Sequence, residues 1–156
     1  EYLSYEVGLE ADNQAQDFVG LCADLTDHIV LDLSGQRTDP FVPGALVNAD
    51  KVIVLFTSDV QGVCWYNAVK PLLQSMNAEQ RIVPVVAMSD PHQDISAIEK
   101  AADVSFAAVL PFVKEFRRNP CESPLSGTTI AASQYVKRVK KLWKQLKAGD
   151  EIEDIS

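Results

Sequence analysis

Four short runs of apolar residues recur along the chain, over residues 28–33, 51–57, 81–87 and 104–110. Nearly every position in each run is apolar, which is typical of strands buried on both faces in a parallel sheet. Asp32 is the polar exception in the first run, and Pro84 interrupts the third. A proline inside a strand favours an edge strand or a bulge.

Stretches with apolar residues at three- and four-residue steps predict amphipathic helices between these runs. The predicted helices cover residues 11–26, 41–48, 60–77, 94–103 and 126–147. Asp59 and Asp94 are the expected N-caps of two of them, and Pro71 is expected to kink or split the helix over 60–77. Alternating strands and helices predict an α/β fold of three layers, with helices on both faces of a mostly parallel sheet.

The first and last predicted helices carry apolar stripes. In the first helix the stripe is formed by Phe18, Val19, Leu21, Cys22 and Leu25. In the last helix it is expected to pack on the sheet, and it consists of Ile130, Val136, Val139, Trp143 and Leu146.

The chain has 156 residues, of which 47% are hydrophobic and 23% charged, a composition typical of a globular protein. We expect one α/β domain over residues 1–147 and a disordered acidic tail over 148–156. The first residue is Glu1 rather than Met, which suggests a piece of a longer protein. No apolar run approaches the roughly 18 residues that a membrane span needs.

The three cysteines are Cys22, Cys64 and Cys121, without C-x-x-C spacing and with only two histidines in the chain. This pattern argues against a metal cluster and predicts buried or half-buried structural thiols. A reducing cytoplasm is the compartment that fits it best.

The net charge of −8 is unevenly distributed. Residues 1–127 carry −10, residues 137–147 carry +6 and the tail carries −4. The acidic body is expected to repel nucleic acid, so only 137–147 is a credible contact for an anionic membrane or DNA, weak and sensitive to salt. Its basic residues include Lys137, Lys140, Lys141 and Lys144, and the alternative is an ordinary solvated helix face.

Asp32, at the end of the first predicted strand, is the strongest candidate for chemistry. Strand carboxyl ends in parallel sheets face the ligand crevice, where a carboxylate commonly holds Mg²⁺ through water. The alternative is a cap for the turn at Ser34 and Gly35. No catalytic residue is assigned, because the sequence contains neither G-x-S-x-G nor the phosphate-binding loop G-x-x-x-x-G-K-[ST].

The order of segments resembles the C-terminal two-thirds of the ParA/MinD family of deviant-Walker P-loop ATPases. The resemblance is carried by DHIVLDLSG (27–35), NADKVIVLFTSD (48–59), RIVPVVAMSD (81–90), VSFAAVLPFVKEFRRN (104–119) and SPLSGTTIAASQYVKRVKKLWKQL (123–146). Relatives carry an Asn-Arg-like pair after the third strand, where this chain has Ala87 and Met88. This departure is similar to the atypical TadZ/CpaE-like members.

The resemblance implies a cytoplasmic role in positioning plasmids, chromosomes, division sites, pili or secretion machinery, with a place at a membrane or cell pole. It also implies that a longer protein with a P-loop binds ATP and Mg²⁺. In this chain the residues that would contact them are Asp32, Pro111 and Phe112. Without that loop, the chain alone is expected to bind no cofactor and to hydrolyse no ATP. Two alternatives stay open: a non-catalytic scaffold of the same fold, and a degenerate response-regulator receiver.

The loops at the carboxyl edge of the predicted sheet combine phenylalanines with arginines, as interface anchors do. We expect a protein partner or self-association here, and the alternative is that the phenylalanines pack inward. The residues concerned are Arg37, Phe41, Phe112, Phe116, Arg117 and Arg118.

Overall fold

A computed structural model describes residues 9–34, 39, 41–114, 116 and 130–148. The helices are α1 (Leu9–Leu25), α2 (Phe41–Asn48), α3 (Val60–Ser75), α4 (Ile95–Ala102) and α5 (Ile130–Ala148). The strands are β1 (Val52–Thr57), β2 (Ile82–Ser89) and β3 (Ala108–Pro111). A short 3-10 turn over Glu79–Arg81 leads into β2.

The three strands form a parallel sheet in which β2 is central. One face is covered by side chains of α2, α3 and α4, and the other face is covered by α5. The predicted three-layer α/β fold with a parallel sheet is therefore confirmed.

Phe56 of β1 is the centre of the larger core. Its ring lies 4.6 Å from that of Tyr66 on α3 and 5.0 Å from that of Phe106. Full burial of a side chain of this size contributes about 1.5–3 kcal/mol. The smaller core on the opposite face joins Val83 and Val85 to Leu142 of α5.

Two predicted N-caps are confirmed. The Asp59 carboxylate accepts the Gly62 N–H at 2.8 Å, and the Asp94 carboxylate accepts the Ala97 N–H at 3.1 Å. These bonds satisfy N–H groups that the first turn of a helix leaves without a partner. Helix α3 runs continuously through Pro71, so this proline does not split it.

The prediction of a strand over residues 28–33 is wrong. Residues 28–34 form no strand, and Val30 is 76% exposed. A strand exists only when its backbone groups pair with a neighbouring strand, and within the described residues the sheet consists of β1, β2 and β3 alone. His28 instead packs edge-on against Trp143 of α5, with ring centroids 5.5 Å apart.

The expectation that Pro84 marks an edge or bulge is also wrong, since it lies in the central strand opposite Val54. Its carbonyl accepts the Ala107 N–H at 2.8 Å, on the side that faces β3. Pairing with β3 begins only at the next residue, Val85, opposite Ala108. The missing N–H of proline therefore falls just before the β3 ladder begins, where it interrupts no pairing.

Helices α1 and α5 form as predicted, but their buried faces differ from the predicted stripes. In α1 the side chains of Phe18, Leu21 and Leu25 are exposed and Ala15 is buried. In α5 the side chains of Ile130, Val139 and Trp143 are exposed. The face of α5 that packs on the sheet is formed by Tyr135, Leu142 and Leu146, and Leu146 is the member of the predicted stripe that packs there.

Candidate functional site at the carboxyl edge of the sheet

The carboxyl ends of the three strands lie together and are tied by two long-range hydrogen bonds. The Gln93 amide donates to the Ser58 carbonyl at 2.6 Å, which joins the end of β1 to the loop after β2. The Phe112 N–H donates to the Ser89 carbonyl at 2.9 Å, which joins β3 to β2. Ser58 and Ser89 are buried, whereas Thr57, Asp59 and Met88 beside them are exposed.

Asp59 lies at this edge, two residues after the end of β1. Its Oδ1 accepts the Gly62 N–H at 2.8 Å and the Thr57 hydroxyl at 2.9 Å. These hydrogen bonds, that of Gly62 most of all, hold the pKa of Asp59 below its ordinary value of 3.8, because they favour the ionised form. The carboxylate is thus charged at neutral pH and committed to capping α3.

Gly62 allows α3 to begin directly against β1. A Cβ at this position would collide with the Thr57 carbonyl and lie 2.7 Å from the Thr57 hydroxyl. The close approach leaves a shallow open groove between the end of β1 and the start of α3. Its lining consists of Leu55, Thr57, Gln61, Gly62 and Trp65.

Met88 has an unusual backbone at the end of β2. Its φ is 56°, in the left-handed region that side chains other than glycine seldom adopt, and its side chain is exposed. The strain coincides with a shift of register between Val86 and Ser89. A thioether offers neither a directed donor nor a strong acceptor, so Met88 does not suit base recognition.

The predicted cofactor residues lie on different parts of the described chain. Asp32 is exposed on a segment outside the sheet, whereas Pro111 ends β3 and Phe112 follows it. Within the described residues, no three His, Cys, Asp or Glu side chains cluster as metal ligands do. The roles of Asp32, Pro111 and Phe112 toward ATP and Mg²⁺ stay a prediction.

The predicted interface residues divide into two groups. Phe41 packs edge-on against Phe18 at 6.1 Å and Phe116 against Tyr135 at 5.1 Å, and both phenylalanines are half-buried. Phe112 is 39% exposed at the carboxyl edge. Three further predicted members lie outside the described residues, namely Arg37, Arg117 and Arg118.

The basic face of α5 is exposed, as the charge pattern predicts. Lys137, Lys140, Lys141 and Lys144 all reach solvent. The ammonium of Lys147 lies 5.8 Å from the centre of the Trp143 ring. Arg138 is also exposed, but its guanidinium donates to the Val109 carbonyl and so helps to hold α5 on β3.

The cysteine prediction is only partly met. Cys22 is half-buried and Cys64 on α3 is exposed, while Cys121 lies outside the described residues. The expectation of a buried or half-buried thiol is therefore wrong for Cys64.

Sequence reasoning missed two residues that organise the structure. Asp39 accepts the Phe41 N–H at 3.0 Å and the Ser34 hydroxyl at 2.9 Å, which caps α2. Its signal was present, since an aspartate before a proline and a helix is a usual cap. Arg81 contacts carbonyls some 32–35 residues away, and no local pattern indicates such a contact.

Comparison with known proteins gives one informative result. No protein-family model and no curated protein matches the sequence. Among solved structures, the chain is similar to the MinD cell division protein of Aquifex aeolicus, with a TM-score of 0.71 and 15% sequence identity. The fold is MinD-like. The likeness covers 93% of this chain, and the chain spans 64% of the length of that MinD.

At this level of identity the likeness concerns the fold alone, and it supports the fold part of the ParA/MinD resemblance. None of the helices in the described part of the chain is both long and apolar enough to cross a membrane.

Proposed function

We propose that this chain is a positioning-type domain that acts through protein contacts and does not turn over ATP by itself. The proposal is supported by two facts taken together. The likeness to MinD extends over 93% of the chain, yet the sequence contains no G-x-x-x-x-G-K-[ST] loop. This combination favours a non-catalytic scaffold over an enzyme, and the MinD-like fold favours it over a receiver domain.

The reason is that phosphoryl transfer needs the nucleotide to be held before any group can act on it. The backbone N–H groups and the lysine of the phosphate-binding loop hold the phosphates, and Mg²⁺ is bound together with them. Asp32 would therefore contact Mg²⁺ only in a longer form of the protein that carries such a loop. In that form ATP and Mg²⁺ would join the site, with Pro111 and Phe112 beside the nucleotide.

The test is phosphate release and nucleotide binding by the purified protein. We expect ATP turnover at background, and no heat of binding with ATP and Mg²⁺ by calorimetry. The Asp32→Ala variant is the matched control, since it removes the candidate ligand from an exposed position without disturbing the core. Turnover that exceeds background and disappears in Asp32→Ala would overturn the proposal.

The partner surface that we propose is the carboxyl edge around Phe112, in a cytoplasmic protein located at a membrane or pole. Phe112 is partly exposed, and its N–H is bonded to the carbonyl of the buried Ser89. We expect Phe112→Ala to weaken capture of a protein partner while the melting temperature changes little. Phe41→Ala is the contrasting variant, because this ring packs on Phe18 and its loss should lower the melting temperature instead.

A second candidate function is supported by the exposed lysines of α5. We propose that this face makes a weak, salt-sensitive contact with an anionic membrane or DNA. Each basic residue near an acidic membrane contributes about 1 kcal/mol, and the net −10 of residues 1–127 opposes the attraction.

Co-sedimentation with anionic vesicles, and separately with DNA, tests this contact at low and high salt. We expect binding at low salt only, lost when Lys140, Lys141 and Lys144 are replaced by glutamate. Lys70→Glu and Lys100→Glu are controls that make the same replacement one residue at a time on α3 and α4. Binding that is equally strong at low and high salt, or that persists in the triple variant, would show that the basic face is not the contact surface.

A further inference from the structure

Helix α5 carries Trp143 among its lysines. The side chain of Trp143 is 40% exposed, and the ammonium of Lys147 lies 5.8 Å from the centre of its ring. Lys140 and Lys144 share this face of the helix, because residues three and four apart are neighbours on a helix surface. An indole ring among lysines is the composition of a helix face that lies in the surface of an anionic membrane.

A second segment of the chain lies against this ring. Residues 26–33, which we call the strap, follow the end of α1 and form neither helix nor strand. The ring of His28 meets that of Trp143 edge-on, with centroids 5.5 Å apart and planes at 86°. The Thr26 hydroxyl lies 3.2 Å from the Cys22 carbonyl, so a hydrogen bond holds the start of the strap to α1. The strap therefore connects α1 to the lysine face of α5 through this ring contact.

We propose that the strap and an anionic membrane compete for Trp143. With His28 against it, the ring is held on the protein. When the strap leaves, the ring enters the headgroup layer of the membrane, where indole rings are favoured, and the neighbouring lysines contact anionic lipids. The membrane is favoured over DNA because the DNA backbone is contacted mainly through charge, which gives the ring no role. This inference rests on the proposed contact of α5 with an anionic surface and adds what controls it.

The charges of the strap fit this competition. Asp27 lies one residue before the ring contact, and Asp32 lies four residues after it. The strap thus brings negative charge to a helix whose residues 137–147 carry +6. Anionic lipids carry charge of the same sign to the same face, so docking of the strap and contact with lipid oppose each other.

The size of the effect follows from the ring contact. An aromatic pair of this geometry favours the docked state by about 2- to 12-fold. If only the undocked state binds, the apparent Kd equals the intrinsic Kd divided by the undocked fraction. We therefore expect His28→Ala to lower the lipid concentration for half-maximal binding by about three- to ten-fold.

Co-sedimentation with vesicles at low salt tests the competition. The vesicles contain equal amounts of phosphatidylglycerol and phosphatidylcholine, and vesicles of phosphatidylcholine alone are the neutral control. We expect His28→Ala to bind more tightly, and His28→Phe, which keeps a ring against Trp143, to bind like wild type. His92→Ala is the matched control, because His92 is the other histidine of the chain and lies exposed in the loop after β2.

Trp143→Ala shows whether His28 acts through the ring. This substitution should weaken binding to the anionic vesicles, since it removes the group that enters the headgroup layer. In its presence His28→Ala should have no further effect, because the two side chains act through one contact. An undiminished effect of His28→Ala in the Trp143→Ala background would refute the competition.

Tryptophan fluorescence reports docking of the strap without any lipid. The chain has two tryptophans, so Trp143 is the remaining one in a Trp65→Phe background. We expect acrylamide to quench its emission more efficiently when His28 is replaced by alanine. Anionic vesicles should shift the emission to shorter wavelength, at lower lipid concentration in His28→Ala. Equal quenching with and without His28 would overturn the proposal, because the strap would then not cover the ring.

The outcomes separate this inference from the function on which it rests. Equal binding of wild type, His28→Ala and His92→Ala to anionic vesicles would leave the contact of α5 in place and refute the competition. Absence of binding in all three proteins would refute both. Tighter binding of His28→Ala to DNA but not to vesicles would overturn the choice of a membrane as the competitor.

Discussion

Arg81 joins two parts of the fold that are far apart in sequence, and its removal should be costly. The guanidinium Nη1 donates to the Ala49 carbonyl at 2.5 Å and to the Val47 carbonyl at 3.1 Å. Nη2 donates to the Leu46 carbonyl at 2.8 Å. These three carbonyls end α2, where a helix leaves its last C=O groups without partners and favours a nearby cation.

The magnitude follows from which of these bonds are sheltered from water. The bonds to Ala49 and Leu46 are partly buried and the bond to Val47 is exposed. A hydrogen bond to a charged group contributes about 1.5–3 kcal/mol when sheltered, and such contributions are not additive. We therefore expect Arg81→Met, which keeps an apolar stem, to lower the free energy of unfolding by about 2–3 kcal/mol.

Arg81→Lys separates charge from geometry. Lysine keeps the positive charge at the end of α2 but cannot hold two carbonyls on a planar fork. We expect it to recover less than half of the loss. Lys70→Met is the matched control, because Lys70 forms a 3.2 Å ion pair with the largely exposed Asp103. A surface pair of this kind contributes at most about 1 kcal/mol.

Urea denaturation followed by circular dichroism and by tryptophan fluorescence measures these differences. Equal slopes of free energy against urea for all variants would show that the comparison concerns the native state. Amide exchange should also show faster opening of α2 in Arg81→Met than in wild type. An Arg81→Met variant that unfolds at the same urea concentration as Lys70→Met would refute the reasoning.

Three further predictions follow from single side chains. The pKa of Asp59 is lower in the folded state than its ordinary value of 3.8, so its carboxylate should stabilise the fold fully above pH 3.8. This stabilisation should be lost as the pH falls through the folded pKa, so the difference in free energy of unfolding between wild type and Asp59→Asn should become smaller in acid. Gly62→Ala should destabilise by about 1–3 kcal/mol through its clash with Thr57, whereas Gly20→Ala, with open space around it, should stabilise α1 by about 0.5–1 kcal/mol. Leu142→Ala should lower the free energy of unfolding by about 2–4 kcal/mol, whereas Val139→Ala, at a more exposed position of α5, should lower it by under about 1 kcal/mol. Urea denaturation of each variant and its control measures these differences.

The sequence was most informative where structure depends on neighbours along the chain. The five described helices, two of the caps and three of the four predicted strands follow from the sequence, because periodicity and capping residues act over a few positions. The strand over residues 28–33 was not predictable in this way. An apolar run indicates that a segment is able to form a strand. Whether another strand lies beside it depends on residues far away in the sequence.

The same distinction explains the helix faces. The apolar residues of α5 spread over a broad arc of the helix, from Leu142 and Tyr135 at one end to Val139 and Trp143 at the other. Periodicity alone identifies the helix, but the sheet decides which side is buried. Leu142 meets Val83 and Val85, and Arg138 reaches the Val109 carbonyl, so the phase of α5 is determined by contacts with β2 and β3.

Two aspartates at the ends of apolar runs show how far a candidate site can be predicted. Asp59 is followed three residues later by Gly62, whose N–H reaches the carboxylate and whose missing Cβ admits Thr57. That spacing is a local signature of a cap, and the structure has one. Asp32 has no such signature, and it lies exposed on a segment that forms no strand, so the strand end from which the metal role was inferred is missing. A carboxylate after an apolar run therefore indicates chemistry only when the run is paired in a sheet and the following turn does not already use the oxygen atoms.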